Sequence, residues 1–261
     1  MSQITTHAPG TFSWVELGTT DADAAKRFYA GLFGWEPKDT PAGDAGTYTL
    51  LMLSGREVGG LSKMQKEQLA HGVPPHWLPY IAVASADETT NKAASLGAMI
   101  LAGPFDVMDH GRMSVLQDPT GAAFAIWQAK SHPGAGVRDE PGSISWCELL
   151  TSDAAKASRF YGGLFGWTEK DMSMSQMKYT IFSSGTTQVA GMMTIQKEWG
   201  AMPSNWLTYF SVADCNATVE KAKKVGGTIM KPPDDVPGVG RFAILQDPQG
   251  GTFAVIQSAS A

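Results

Sequence analysis

One segment of this chain occurs twice, and the recurrence limits what the rest can be. Trp14 aligns with Trp146, Glu16 with Glu148, Asp21 with Asp153, Phe28-Tyr29 with Phe160-Tyr161, and Gly34-Trp35 with Gly166-Trp167, all at one constant offset. Further along, Gln65-Lys66-Glu67 matches Gln196-Lys197-Glu198, Trp77-Leu78 matches Trp206-Leu207, and Gln117-Asp118-Pro119 matches Gln246-Asp247-Pro248 at slightly shorter offsets. Small deletions in loops account for the shortening. A period this long is a domain duplication and not a solenoid repeat. The expected organisation is a first domain over 1–130, a linker over 131–142 and a second domain over 143–261.

Within the repeated segment, Phe12 to Leu17 alternates, with Phe12, Trp14 and Glu16 on one face and Ser13, Val15 and Leu17 on the other, which predicts a strand. Thr19-Thr20-Asp21 supplies a helix N-cap, and Ala25, Phe28, Tyr29 and Leu32 recur at helical spacing until Gly34 stops the helix. Two further strands are expected at Tyr48–Leu53 and Val58–Met64. The same order follows at once: a strand from Trp77, a helix from Asp87 closed by Gly97, then strands ending at Gln128. Asp118-Pro119-Thr120-Gly121 reads as a tight turn. Each half thus contains two strand–helix–strands units. Which units pair in space stays open at this point.

Bulk properties narrow the function. A net charge of −5 with no long Lys/Arg cluster argues against nucleic-acid and anionic-membrane partners. Two cysteines, Cys147 and Cys215, make no disulfide framework and no zinc motif, and no apolar run reaches membrane-spanning length. No signal peptide is visible, so a reducing, cytoplasmic setting is expected.

Four consecutive strand–helix–strands units, with Asp-x6-Phe-Tyr-x2-Leu-Phe-Gly-Trp in units one and three and Asp-Pro-x-Gly before the last strand of units two and four, resemble the vicinal oxygen chelate superfamily. That superfamily includes glyoxalase I, bleomycin-resistance proteins and extradiol dioxygenases; the chain is similar in particular to its tandem, glyoxalase-like or hydroxylase-like branch. The resemblance implies an α+β fold of four β-α-β-β-β modules, forming two domains whose sheets curl into half-barrels around a ligand site. In metal-using members a His or Glu comes from the inward face of the first and last strands of each module. Here those slots fall at Trp14 and Trp146, Gly60-Leu61 and Gly191-Met192, Leu78 and Leu207, and near Ala125 and Ala254, and the second domain contains no histidine. Neither a metal nor another cofactor is expected. Only His76 among the five histidines is expected near the cleft.

Glu16 and Glu148 are candidate acid/base residues, each an acid within an apolar strand two residues from a tryptophan. A structural role, accepting hydrogen bonds that pin the scaffold, is the competing reading. Trp14, His76, Trp77, Tyr80 and Gln128 in the first domain, with Trp146, Trp206, Tyr209 and Gln257 in the second, are candidate ligand contacts. Core packing or a domain interface explains the aromatics equally, and edge solvation the glutamines. Met172, Met174, Met177, Met192, Met193 and Met202 suggest an adaptable wall or core filling. Cys147 reads as a small core residue, and Gly59-Gly60 as a bulge or a close backbone approach. The expected function is metal-independent binding of a small hydrophobic or aromatic molecule by a monomer with internally paired modules. The alternative is a glyoxalase-, isomerase- or hydroxylase-like enzyme using a cleft glutamate.

Overall fold

The computed structural model describes residues 3–43, 46–173 and 178–259. Unit one comprises β1 (Phe12–Thr19), α1 (Ala22–Phe33), β2 (Glu36–Pro41), β3 (Thr47–Leu53) and β4 (Arg56–Lys63), and a short α2 (Lys66–Ala70) leads to unit two. Unit two holds β5 (His76–Ala82), α3 (Ala86–Ser95), β6 (Met99–Val107), β7 (Gly111–Gln117) and β8 (Ala123–Ala129). Unit three holds β9 (Ile144–Thr151), α4 (Ala154–Phe165), β10 (Thr168–Asp171), β11 (Tyr179–Ser184) and β12 (Thr187–Thr194). Unit four holds β13 (Asn205–Ser211), α5 (Cys215–Lys224), β14 (Thr228–Val236), β15 (Gly240–Gln246) and β16 (Thr252–Ser258). Among the described residues no helix is long and apolar enough to cross a membrane.

The repeated helices form for the reasons their sequence gives. Asp21 Oδ1 accepts from the Ala24 amide at 3.0 Å, satisfying an orphan N–H of α1, and Gly34 ends the helix at φ 75°. Asp153 and Gly166 do the same for α4. The stripe Ala25, Phe28, Tyr29 and Leu32 is the buried face.

Units pair in chain order. β1 joins β4 in parallel and β5 antiparallel, while β5 joins β8 in parallel, so units one and two share one sheet. β9 joins β12 and β13, and β13 joins β16, so units three and four share the other. Among the described residues the two halves join into one continuous 16-stranded sheet where Thr252 of β16 pairs with His76 of β5.

The alternation expected along β1 breaks at its start. A register shift against β5 between Phe12 and Trp14 puts Phe12 in the central core, edge-on to Trp206 at 5.2 Å, while Trp14 faces the opposite side. One extra residue in a strand pair re-aims every side chain before it, and no alternation rule can foresee where it falls. Ile144 is displaced likewise by the shift between Tyr209 and Phe210.

The main core is continuous across both halves and is fastened by two buried hydrogen-bond relays. Trp77 Nε1 donates to Tyr29 Oη at 2.9 Å, and Tyr29 Oη donates to Asp247 Oδ2 at 2.9 Å. Trp206 Nε1 donates to Tyr161 Oη at 2.9 Å, and that hydroxyl donates to Asp118 Oδ2 at 2.8 Å. Each relay joins three units. The other oxygen of each aspartate accepts the backbone amides of its own Asp-Pro-x-Gly turn, Gly121 and Ala122 for Asp118, Gln249 and Gly251 for Asp247. The indoles that follow the helices act crosswise as well: Trp35 Nε1 donates to the Gly142 carbonyl and Trp167 Nε1 to the Gly10 carbonyl.

Tyr29→Phe removes the middle of one relay and strands a buried indole N–H and a buried carboxylate oxygen. Urea unfolding should show a loss of roughly 2 to 6 kcal/mol, from a cost of about 1–3 kcal/mol for each of the two unsatisfied groups.

Candidate functional site

The concave face of each sheet carries one carboxyl group enclosed by hydroxyls. In the first domain Glu16 lies opposite Gly60 of β4 and Leu78 of β5. Tyr48 and Tyr80 donate to its Oε2 at 3.1 and 2.9 Å, and Ser62 donates to Oε1 at 2.9 Å. Trp14 Nε1 in turn donates to Tyr48 Oη at 3.0 Å. In the second domain Glu148 lies opposite Gly191 and Leu207, accepts from Tyr209 Oη at 3.0 Å and also bonds Tyr179, whose hydroxyl accepts from Trp146 Nε1 at 3.1 Å. Glu148 is buried, whereas Glu16 is half-exposed.

Gly60 and Gly191 make these clusters possible. A Cβ at either position would overlap the hydroxyl of Tyr48 or Tyr179. Only a residue without a side chain lets the phenol lie flat across the strand and reach the carboxyl group. The close backbone approach expected at Gly59-Gly60 is therefore observed, and Gly59 also abuts the Val15 carbonyl.

Burial holds the hydroxyls of Tyr48, Tyr80, Tyr179 and Tyr209 far above the ordinary phenol range, and the neighbouring glutamate charge raises them further, so all four remain donors. Glu148 is raised chiefly by loss of water, against the opposing pull of its two tyrosine bonds. The walls around each cluster are apolar: Leu50, Leu78, Val107 and Val115 in the first concavity, Ile195, Met202, Ile244 and Ile256 in the second. Open clefts of about 320 and 240 Å³ lie beside Arg241 and Gln257 and beside Lys178 and Met192.

The other sequence candidates divide between the two faces. Trp14, Tyr80, Trp146 and Tyr209 line the concavities. His76 stands at the end of the same strand face, its ring against Gly18 and its Nδ1 on the Pro74 carbonyl. Trp77 and Trp206 point the other way, into the central core, because they fall on the opposite strand phase from Leu78 and Tyr80 or from Leu207 and Tyr209. The expectation that these two indoles touch a ligand is corrected accordingly. Gln128 and Gln257 are also committed elsewhere: their amide oxygens accept from the Ala86 and Cys215 amides at the starts of α3 and α5. Cys147 is fully buried, and burial pushes its thiol up to about 12. Met192 belongs to the core, Met193 and Met202 to the second concavity, Met172 is exposed, and Met174 and Met177 lie outside the described residues.

Two contributions escaped the sequence reading. Tyr48 and Tyr179 occupy matched positions near their glycines, and that recurrence was the available signal. His132, assigned to the linker, folds back over the first concavity, edge-on to Trp14 at 4.8 Å and with Nε2 2.8 Å from Glu57 Oε2. No local pattern marks such a return.

The donor set does not fit a divalent cation. Each floor offers one carboxyl group already engaged by hydroxyls, next to glycine, leucine and alanine, and at the end of the first concavity His132 and Glu57 are bonded to each other. Among the described residues no group of three or more His, Cys, Asp or Glu side chains is arranged to hold a metal ion.

Comparison with known proteins places this geometry. The profile of the glyoxalase/bleomycin resistance protein/dioxygenase superfamily matches residues 11–126 and 143–255. The chain is 40% identical over 261 residues to "Putative glyoxylase CFP32" of Mycobacterium tuberculosis, covering 99% of each chain. It is 35% identical over 264 residues to "Anthracycline biosynthesis protein DnrV" of Streptomyces peucetius, covering 97% of this chain and 95% of that one. Among solved structures, the Mn(II)-bound glyoxalase from Novosphingobium aromaticivorans superposes with a TM-score of 0.65 at 16% identity, over 95% of this chain and 82% of the other. The 2,2',3-trihydroxybiphenyl 1,2-dioxygenase of Sphingomonas wittichii gives 0.66 at 10% identity, over 96% and 91%.

Burial raises Glu148 above the ordinary 4.5. The folded protein therefore holds this proton more tightly than the unfolded chain does, and stability from this residue is full below pH 4.5 and lost as pH rises through the raised value. Urea unfolding between about pH 4 and about pH 8 should show that decline in the wild type and a flatter profile in Glu148→Gln.

Proposed function

Because the chain belongs to the glyoxalase/bleomycin resistance protein/dioxygenase superfamily, we propose that it binds a small hydrophobic or aromatic molecule in a concavity, without a metal ion. The observation that carries this reading is the carboxyl–tyrosine cluster set in the floor of a half-exposed apolar trough. Apolar walls supply contact area, and a few fixed polar groups orient the ligand. Phenol hydroxyls held protonated and a carboxyl group between them can accept from and donate to hydroxyl or carbonyl groups of the ligand. The name of the anthracycline biosynthesis relative supports an aromatic ligand, since anthracyclines are polycyclic aromatic compounds.

A second reading rests on Glu148 alone. A carboxyl group pushed upward by burial holds its proton more tightly than a free one, and on this reading Glu148 serves as general acid or base on a bound molecule. In that case Glu148→Gln abolishes turnover of whatever substrate is found while ligand affinity survives.

Quinizarin, a planar dihydroxyanthraquinone, is a suitable probe. Titration should quench tryptophan fluorescence saturably, with an unchanged isotherm after EDTA treatment. Binding that disappears with EDTA and returns with added manganese overturns the metal-independent reading.

A further inference from the structure

The duplication provides an internal control: where matched positions differ, the fold did not require the difference. In the first concavity Trp14, Met113 and Trp127 are only 5%, 8% and 7% exposed. Their counterparts Trp146, Phe242 and Ile256 are all half-exposed, whereas the matched Tyr48 and Tyr179 do not differ. The cause is the segment between the domains. It is strapped across the end of the first concavity by a bidentate Arg56–Glu140 pair at 3.0 and 2.6 Å, by His132 on Glu57, by Trp127 Nε1 on the His132 carbonyl at 2.9 Å, and by the Ala135 amide on the Ser13 carbonyl at 2.7 Å. Gln188 stands where the strap's Glu57 would be in the second domain, and Ile256 where Trp127 would be, so neither anchoring group is repeated. The floor differs as well. Ser62, the third donor to Glu16, is replaced by Met193, which leaves Glu148 with its two tyrosines and an apolar neighbour.

We infer that the second concavity is the binding site and that it takes one planar, uncharged aromatic molecule carrying a hydroxyl or carbonyl oxygen directed at Glu148. The inference rests on the binding function proposed above and narrows it. Three rings, Trp146, Tyr179 and Phe242, are open to the trough, and aromatic faces and edges favour a flat partner. Met193, Ile244 and Ile256 offer a charged ligand nothing to pair with, so a neutral one is favoured. Glu148 is the polar feature at the bottom: in its protonated form it donates to a ligand carbonyl, and in its ionised form it accepts from a ligand hydroxyl. In the first concavity the chain's own His132 covers the indoles, its ring edge-on to Trp14 and its carbonyl on Trp127 Nε1, while Glu16 stays half-exposed.

Matched variants separate the two troughs. Val115 and Ile244 are equivalent half-exposed wall positions. Calorimetric titration with quinizarin should give about one molecule per chain. Ile244→Trp, which fills the second trough, should weaken binding by roughly tenfold or more. Val115→Trp, which fills the first, should leave affinity and stoichiometry unchanged. Trp146→Phe should remove most of the fluorescence quenching while Trp14→Phe keeps it, with circular dichroism showing each variant folded. Two molecules per chain, or loss of binding on Val115→Trp alone, overturns the inference and leaves the broader binding function standing. No saturable binding of quinizarin by the wild type at its solubility limit overturns both.

Discussion

Two relays of the form indole to phenol to carboxylate run through the middle of this molecule, and the rest of the architecture is arranged around them. Each begins on the first strand of one unit, passes through the tyrosine of a neighbouring unit's helix and ends on a turn aspartate from the other half of the chain. Buried polar groups are costly unless satisfied, and in a medium of low polarity a satisfied chain of them fixes relative geometry tightly. The aspartates also organise their own turns, so each carboxylate shapes the hairpin with one oxygen and binds the opposite half with the other. Both concave sheets are held from behind in this way, which leaves their inner faces free to vary.

On those inner faces the physics differs. The glutamates are acids placed in apolar strands, tolerable because tyrosine hydroxyls reach them over glycines that clear the path. A cation site needs several converging oxygen or nitrogen donors, whereas this arrangement uses the single available acid to organise phenols. The result is a directional hydrogen-bonding group at the floor of an otherwise greasy surface, an arrangement suited to orienting a small molecule.

Much of this architecture was visible in the sequence, because it is written in short-range patterns that occur twice. The caps Asp21 and Asp153, the stops Gly34 and Gly166 and the inward stripe of α1 each depend on a few neighbouring residues. Unit pairing was not visible, since it depends on which strands meet across long separations. The phase of Phe12 was hidden by a bulge, and the facing of Trp77 and Trp206 was obscured by treating a strand's aromatics as one set when alternate residues point opposite ways. Of the site, Glu16 and Glu148 stood out as charge in a hydrophobic context. Tyr48, Ser62 and Tyr179 did not, because hydroxyl-bearing residues in strands are ordinary until the partner beneath them is known.

The crosswise bonds from Trp35 to the Gly142 carbonyl and from Trp167 to the Gly10 carbonyl have a structural consequence. Each half clasps the stretch of backbone that leads into the other's opening strand, so the register of each half is tied to its neighbour. The two troughs of the duplicated chain are thereby held in one frame, each opening strand anchored by an indole of the other copy.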